Sequence, residues 1–211
     1  MPKIEEPENA DRRQQIIEAA LKVFSTKGFH KATNKDIAEA AGGISPGLIY
    51  WYFKDKEDLF LSIIRERAAI FQLADHAEQL LGLPPREGLA LVGRTYLSAF
   101  RVPGNVALLR MLVGEAVRFP QIGEMFFKLV GRRFLGFLSQ YLQHQVDLGR
   151  LRPHDTMIAA RSFLGMFVVN VIAREILRQP EALQTSDEQI VATAVDIFVS
   201  GLEPAQGAKD A

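Results

Sequence analysis

Apolar residues recur at helical spacing along almost the whole chain, and the breaks between them fall at Gly and Pro. Ile16, Ile17, Ala20, Leu21 and Phe24 share one face of a first helix, and Gly28 follows as its stop. Thr33-Asn34-Lys35-Asp36 offers a hydroxyl cap with an acid three residues on; Ile37, Ala38 and Ala41 follow, then Gly42-Gly43, which predicts a short second helix. Ser45 reads as the cap of a third helix with Pro46 at its first position, where the missing N–H costs nothing. Asp55 and Asp58 repeat the cap-plus-acid pattern and open a fourth helix through Leu59, Phe60, Ile63 and Ile64, expected to reach Ala74.

After Leu81 the stretch Gly-Leu-Pro-Pro-Arg-Glu-Gly breaks the pattern, and the helices beyond it become longer and more apolar. They are expected over 87–100, 106–118, 122–148, 155–177 and 186–202, separated at Pro103-Gly104, Pro120, Gly149, Pro153 and Pro180. No alternating strand pattern competes with them. The most apolar stretch, from Met157 to Ala173, is interrupted by Arg161 and Asn170 and reads as a buried helix rather than a membrane span.

Composition narrows the function more than the fold. With 211 residues, 48% apolar and 24% charged, the chain can bury a core as one large domain or as a small domain joined to a larger one. A net charge of zero and a pI near 6.9 give the whole molecule no pull toward nucleic acid or anionic membrane, so any basic surface must be local. The absence of cysteine excludes disulfides, thiolate metal sites and cysteine nucleophiles, and fits a reducing cytoplasm. His30, His76, His144 and His154 lack metal-ligand spacing, and no nucleophile motif, phosphate loop or dinucleotide fingerprint accompanies them. No enzyme activity, metal or cofactor is therefore expected, and no helix has the lysine-rich face of a membrane binder.

A short helix, a glycine turn and a second short helix, braced by a preceding amphipathic helix, make the helix-turn-helix plan, in which the second helix enters the major groove of DNA. At this point the sequence resembles the TetR family of bacterial transcriptional regulators. The residues that carry the resemblance are Ala20, Phe24, Gly28, Phe29, Ala32, Thr33, Ile37, Ala38, Ala41, Gly42 or Gly43, Ile44, Ser45, Gly47, Ile49, Tyr50, Tyr52, Phe53, Asp55 and Lys56. Where that family has a single turn glycine, this chain has two, which lengthens the turn by a residue and questions the angle between the helices.

The resemblance implies an all-α fold with an N-terminal three-helix helix-turn-helix DNA-binding domain and a larger C-terminal helical ligand-binding and dimerisation domain, about nine helices in all. The expected boundaries are a disordered arm at 1–9, the DNA-binding domain at 10–67, the ligand-binding and dimerisation domain at 68–203, and a disordered tail at 204–211. The whole reads as a ligand-responsive repressor that binds a palindromic operator as a homodimer and is released by a small apolar or aromatic effector. The competing reading is a helical small-molecule-binding protein without sequence-specific DNA binding.

Residue chemistry fills in the head. Ile49 and Phe53 stand four apart and share a face that packs on the first helix, so Tyr50, Trp51 and Tyr52 point elsewhere and imply a partner surface. The Tyr50 hydroxyl suits a phosphate, as the resemblance also implies. Trp51 and Tyr52 suit thymine methyls, sugar or phosphate, with a scaffold role as the alternative for Trp51. Gly47 allows close backbone approach, and Pro46 and Leu48 can give bases only apolar contacts. Lys35 is the candidate for a hydrogen bond to guanine, or else a phosphate-facing lysine, and Thr33, Ser45, Lys54 and Lys56 suit phosphate. From Arg12 to Lys56 eight basic side chains face four acidic ones, a balance of plus four that the neutral chain hides.

In the larger domain the last two long helices occupy the place where the resembled family builds its two-fold interface, which assigns Phe163, Phe167, Ile190, Ala194, Ile197 and Phe198 to it; ordinary core is the alternative. By the same analogy Tyr96, Phe100, Arg110, Glu115, Phe126, Phe134, Phe137, Phe163, Phe167 and Asn170 are candidates to line an effector cavity. Phenylalanines at helical spacing serve equally well as core, and the polar members could orient a ligand or satisfy one another.

Overall fold

A computed structural model describes residues 6–67 and 77–204. Among them every regular element is helical. In chain order they are α1 (Glu6–Lys27), α2 (Asn34–Ala40), α3 (Pro46–Tyr52), α4 (Lys56–Arg67), α5 (Ala77–Gly82), α6 (Pro85–Ser98), α7 (Asn105–Ala116), α8 (Pro120–Phe126), α9 (Arg132–Asp147), α10 (Thr156–Val171), α11 (Pro180–Gln184) and α12 (Asp187–Ser200). Wide π turns at Phe127–Gly131 and Ile172–Ile176 follow α8 and α10. The first of these divides the long helix expected over 122–148 into α8 and α9.

Two short helices, α5 and α11, are additions to the expected set, because neither is long enough to show periodicity. α1 begins at Glu6, so residues 6–9, expected in the arm, are helical. The rest of that arm, the tail beyond residue 204 and the expected continuation of α4 to Ala74 lie outside the described residues.

The chain forms two compact units, one from residues up to Arg67 with 102–129, the other from 68–101 with 130–211. The first unit therefore joins α7 and α8 to the expected helix-turn-helix head. Its core is built from Ile16, Ile17, Ala20 and Phe24 of α1, Ile37 and Ala38 of α2, Ile49 of α3, and Leu59, Phe60, Ile63 and Ile64 of α4. Each of the Ile, Leu and Phe side chains contributes about 1.5–3 kcal/mol by leaving water. The rings of Phe24, Phe29 and Phe60 meet at 5.0–6.1 Å, tilted or edge-on, the arrangement that aromatic quadrupoles favour. α7 packs along α1, burying Leu108, Met111 and Leu112, and α8 reaches α4. Arg67, at the end of α4, donates to the carbonyl of Pro103 and pairs with Glu18, while the Asn105 amide donates back to the carbonyl of Arg67. These bonds tie α7 to the head at its N-terminal end.

In the second unit α6, α9, α10 and α12 pack on one another. Phe163 and Phe167 of α10 are enclosed there, with Phe163 edge-on to Phe198 of α12 at 5.0 Å. Tyr141 of α9 donates from its hydroxyl toward the carbonyls of Leu83 and Pro84, which fixes the entry to α6.

Candidate nucleic-acid interface

The head is assembled from short-range caps and one unusual turn. Thr33 and Asp36 form a reciprocal capping box: the Asp36 amide donates to Thr33 Oγ1 at 3.2 Å, and Asp36 Oδ2 accepts from the Thr33 amide at 3.0 Å and hydroxyl at 2.8 Å. Lys27 adds a bond to Asp36 Oδ1 at 2.7 Å. Hydrogen bonds from Lys27 and then Thr33 hold the carboxyl well below its usual range, at about 2. α4 is capped in the same manner, with the Asp58 amide donating to Asp55 Oδ1 and Asp58 Oδ2 accepting from the Lys54 amide.

The doubled glycine turn closes without loss of hydrogen bonding. Gly42 and Gly43 both adopt left-handed conformations, φ +87° and +77°, which side chains with a Cβ avoid. The amides of Gly43 and Ile44 both donate to the carbonyl of Ala38, and Gln15 of α1 donates from Nε2 to the carbonyl of Ala41 at 2.9 Å. Two successive left-handed residues thus absorb the extra position.

α3 docks through Ile49, while Phe53 at its end is buried under the guanidinium of Arg13, 5.2 Å from the ring. On the other side Tyr50 and Trp51 stand 60% and 61% exposed. Pro46 and Gly47 are exposed beside them, Leu48 is half-exposed, and Lys35 and Lys54 lie exposed on the neighbouring segments. Thr33 and Ser45 are also exposed, Thr33 with its hydroxyl already bonded into the capping box.

Three side chains differ from the sequence expectation. Ser45 sits at the cap position of α3, yet its side chain makes no cap bond. Tyr52 is half-buried, edge-on to Trp51 at 4.7 Å, and its hydroxyl is enclosed with no partner among the described residues, so it does not face outward with Tyr50 and Trp51. Lys56, assigned to phosphate, turns inward: its ammonium donates to the carbonyls of Phe29, His30 and Ala32 at 2.8, 3.2 and 3.0 Å and lies 4.7 Å over the Phe29 ring. Burial lowers its pKa. All three of its protons are engaged, so Lys56 clasps the turn between α1 and α2.

The sequence profile described as bacterial regulatory proteins, tetR family, matches residues 16–63, and that of the AefR-like transcriptional repressor C-terminal domain matches residues 87–201. The chain belongs to the TetR family. It is similar to the HTH-type transcriptional repressor Rv1474c of Mycobacterium tuberculosis, 36% identical over 99 residues, a match that covers 47% of this chain and only 48% of that relative. The HTH-type transcriptional regulator UidR of Escherichia coli K12 is 29% identical over 181 residues, covering 82% of this chain and 87% of that one. In fold it resembles the transcriptional regulator FadR of Bacillus subtilis, solved with stearoyl-CoA, with a TM-score of 0.71 at 24% identity over 89% of this chain and 98% of that one. The matched helix-turn-helix region lies in the first unit.

The candidate effector and interface residues of this TetR-family chain fall into different surroundings. Tyr96, Phe100, Phe134 and Phe167 cluster in the second unit, the Tyr96 ring 5.4 Å from Phe100 and 6.2 Å from each of the other two. Burial pushes the Tyr96 hydroxyl up to about 12. Phe137 and Asn170 belong to the same unit; the Asn170 amide donates to the carbonyl of Met166 on its own helix. Arg110, Glu115 and Phe126 belong to the first unit. Phe163 and Phe167, assigned to the two-fold interface, are enclosed in their own unit because they point between α10 and the helices packed on it. Ile190, Ala194 and Ile197 instead line a surface groove with Gly165, Met166, Val169 and Asn170, and Phe198 lines a second one beside Ile158 and Ser162.

Sequence reasoning missed Gln15, Arg13, Arg67 and the approach of Glu115 to the head. Each acts on a residue distant in the sequence, and no local periodicity signals such a contact.

Proposed function

We propose that this chain is a homodimeric, effector-responsive repressor that acts in the cytoplasm on a palindromic operator. The observation that carries the reading is the exposed Tyr50-Trp51 pair on α3, flanked by the exposed Lys35 and Lys54. Two large aromatics kept out of the core beside exposed cations suit a groove lined by phosphate. Phosphate contacts are assigned to Tyr50, Lys54, Thr33 and Ser45, and Lys35 to a base or phosphate.

The dimer rests on α10 and α12. The helix from Thr156 to Ile176 is strongly apolar, yet only 22% of its most apolar stretch is buried within the chain. Ile158, Val169 and Ile197 stand about 60% exposed around the grooves described above. A second copy laid on the same face buries them by an isologous contact and brings two heads to one palindrome.

The effector is a small apolar or aromatic molecule, in keeping with the aromatic cluster around Tyr96. It releases DNA by favouring a conformation whose heads no longer match the half-site separation.

The test is selection of bound fragments from sheared genomic DNA by the purified protein at about 150 mM salt, where weak nonspecific binding is suppressed. Enrichment of a discrete palindrome is expected. A folded dimer that enriches no site overturns the reading in favour of a ligand-binding protein without an operator.

A further inference from the structure

The chemistry of α3 is lopsided for a helix that reads DNA. From Ser45 to Phe53 there is no charged and no amide side chain. The strong base-edge pairings need Arg or Lys on guanine, Asn or Gln on adenine, or a carboxylate on cytosine, and none can come from this helix. The enclosed hydroxyl of Tyr52 removes one more polar group from the outer surface.

What remains outward has a definite geometry. On a helix, Leu48 and Gly47, three and four residues before Trp51, are its neighbours on the face turned away from Ile49 and Phe53. Trp51 is exposed and Leu48 half-exposed, so a large apolar surface lies at the centre of that face. Gly47 stands next to it with neither a left-handed backbone nor a packing neighbour to require glycine. A Cβ built there meets only Ser45 Oγ, at 3.4 Å. Nothing among the described residues explains its missing side chain, whereas a surface pressed closely onto the helix does.

In the major groove the one base feature that apolar atoms can distinguish is the C5 methyl of thymine. We propose that α3 reads its operator through thymine methyls, with Leu48 and Trp51 as the specificity-determining contacts and Gly47 admitting the backbone to the groove floor. This rests on the operator-binding reading above. It leaves Lys35 of α2 as the contributor of charge near the bases rather than of the main sequence preference.

The experiment uses the full-length protein and the operator recovered by selection. Each thymine in a half-site is replaced by uracil, which keeps Watson–Crick pairing and removes only the methyl. Loss of a buried methyl is expected to weaken binding about fourfold for each contacted position. Replacing a contacted T·A pair by 5-methylcytosine·G is expected to bind more tightly than replacement by C·G, because the methyl returns without the original base. Leu48→Ala and Trp51→Ala are expected to weaken binding to the thymine operator while leaving affinity for the uracil operator near that of the unaltered protein, which also reports an intact head. Equal binding to thymine and uracil operators overturns the proposal, and does so most directly if 7-deazaguanine substitution weakens binding instead. Failure to recover any discrete operator is a different outcome, since it overturns the regulator reading on which the proposal stands.

Discussion

The carboxylate of Glu115, on α7, lies directly against Gly28 at the end of α1. A Cβ built on Gly28 falls 2.7 Å from Glu115 Oε1, and the glycine has φ +79°. Its amide closes α1 by donating to the carbonyl of Phe24 at 2.9 Å. From the other side Lys56 grips the carbonyls of Phe29, His30 and Ala32, and the ring of His30 rests 3.5 Å from that of Phe119. The turn that leads into α2 is therefore fixed between α4 and the α7–α8 pair.

Gly28→Ala tests this arrangement. A left-handed alanine costs about 1 kcal/mol in backbone strain, and the half-buried carboxylate must also move aside. A loss of about 1–2 kcal/mol in chemical denaturation is expected. In a Glu115→Ala background the steric part disappears, so the same substitution should cost measurably less. Equal costs in both backgrounds would show that Glu115 does not restrict the position.

Lys56 and Lys54 should part company in their effects. Lys56→Met leaves the carbonyls of Phe29, His30 and Ala32 without their shared donor, which costs about 1–3 kcal/mol of stability. Its operator affinity should keep the salt dependence of the unaltered protein. Lys54→Ala should leave stability within about 0.5 kcal/mol and reduce the slope of log affinity against log salt by about one per half-site. A reduced slope for Lys56→Met would return that residue to the phosphate contacts.

These contrasts mark the limit of what the sequence discloses. The elements of the head were legible because their signals are local: Thr33 and Asp36 lie three residues apart, Ile49 and Phe53 four, and each pair meets by helix geometry alone. The TetR family and the all-α fold followed from the same stretch. Lys56 looked like a phosphate ligand because its partners lie 24 to 27 residues earlier, at Phe29, His30 and Ala32. The Tyr52 hydroxyl was misplaced for the related reason that burial of one atom depends on packing between helices. Phe163 and Phe167 read as interface because α10 is apolar on nearly every face, so periodicity could not separate its inward from its outward side.

Acid should unfold the head partly through Asp36. Its folded pKa, about 2, lies below the ordinary carboxylate value of 3.8, so its contribution is complete above that value and is lost as pH falls from about 4 through about 2. Urea midpoints measured from pH 6 to pH 2 should fall across that window. Asp36→Asn should lower the midpoint at pH 6 and flatten the fall, because the amide carries no negative charge for Lys27 and does not titrate. An unchanged profile would place the acid sensitivity on other carboxylates.

Ile197 offers the sharpest test of assembly. α12 buries Ile190, Val191, Ala194, Val195 and Phe198 within its own unit, whereas Ile197, at the edge of that stripe beside Ile190 and Ala194, is 61% exposed. An aspartate there leaves the folded chain's own contacts intact, so thermal stability referred to the monomer should change by about 0.5 kcal/mol or less. In a two-fold interface the same substitution brings two carboxylates to one apolar seam, each without a partner charge, and desolvation opposes association from both sides. Sedimentation at micromolar concentration should therefore show Ile197→Asp as a monomer, with operator affinity falling in parallel because each head then meets its half-site alone. A dimer that persists, with operator affinity unchanged, would place the contact between copies on a face other than α10 and α12.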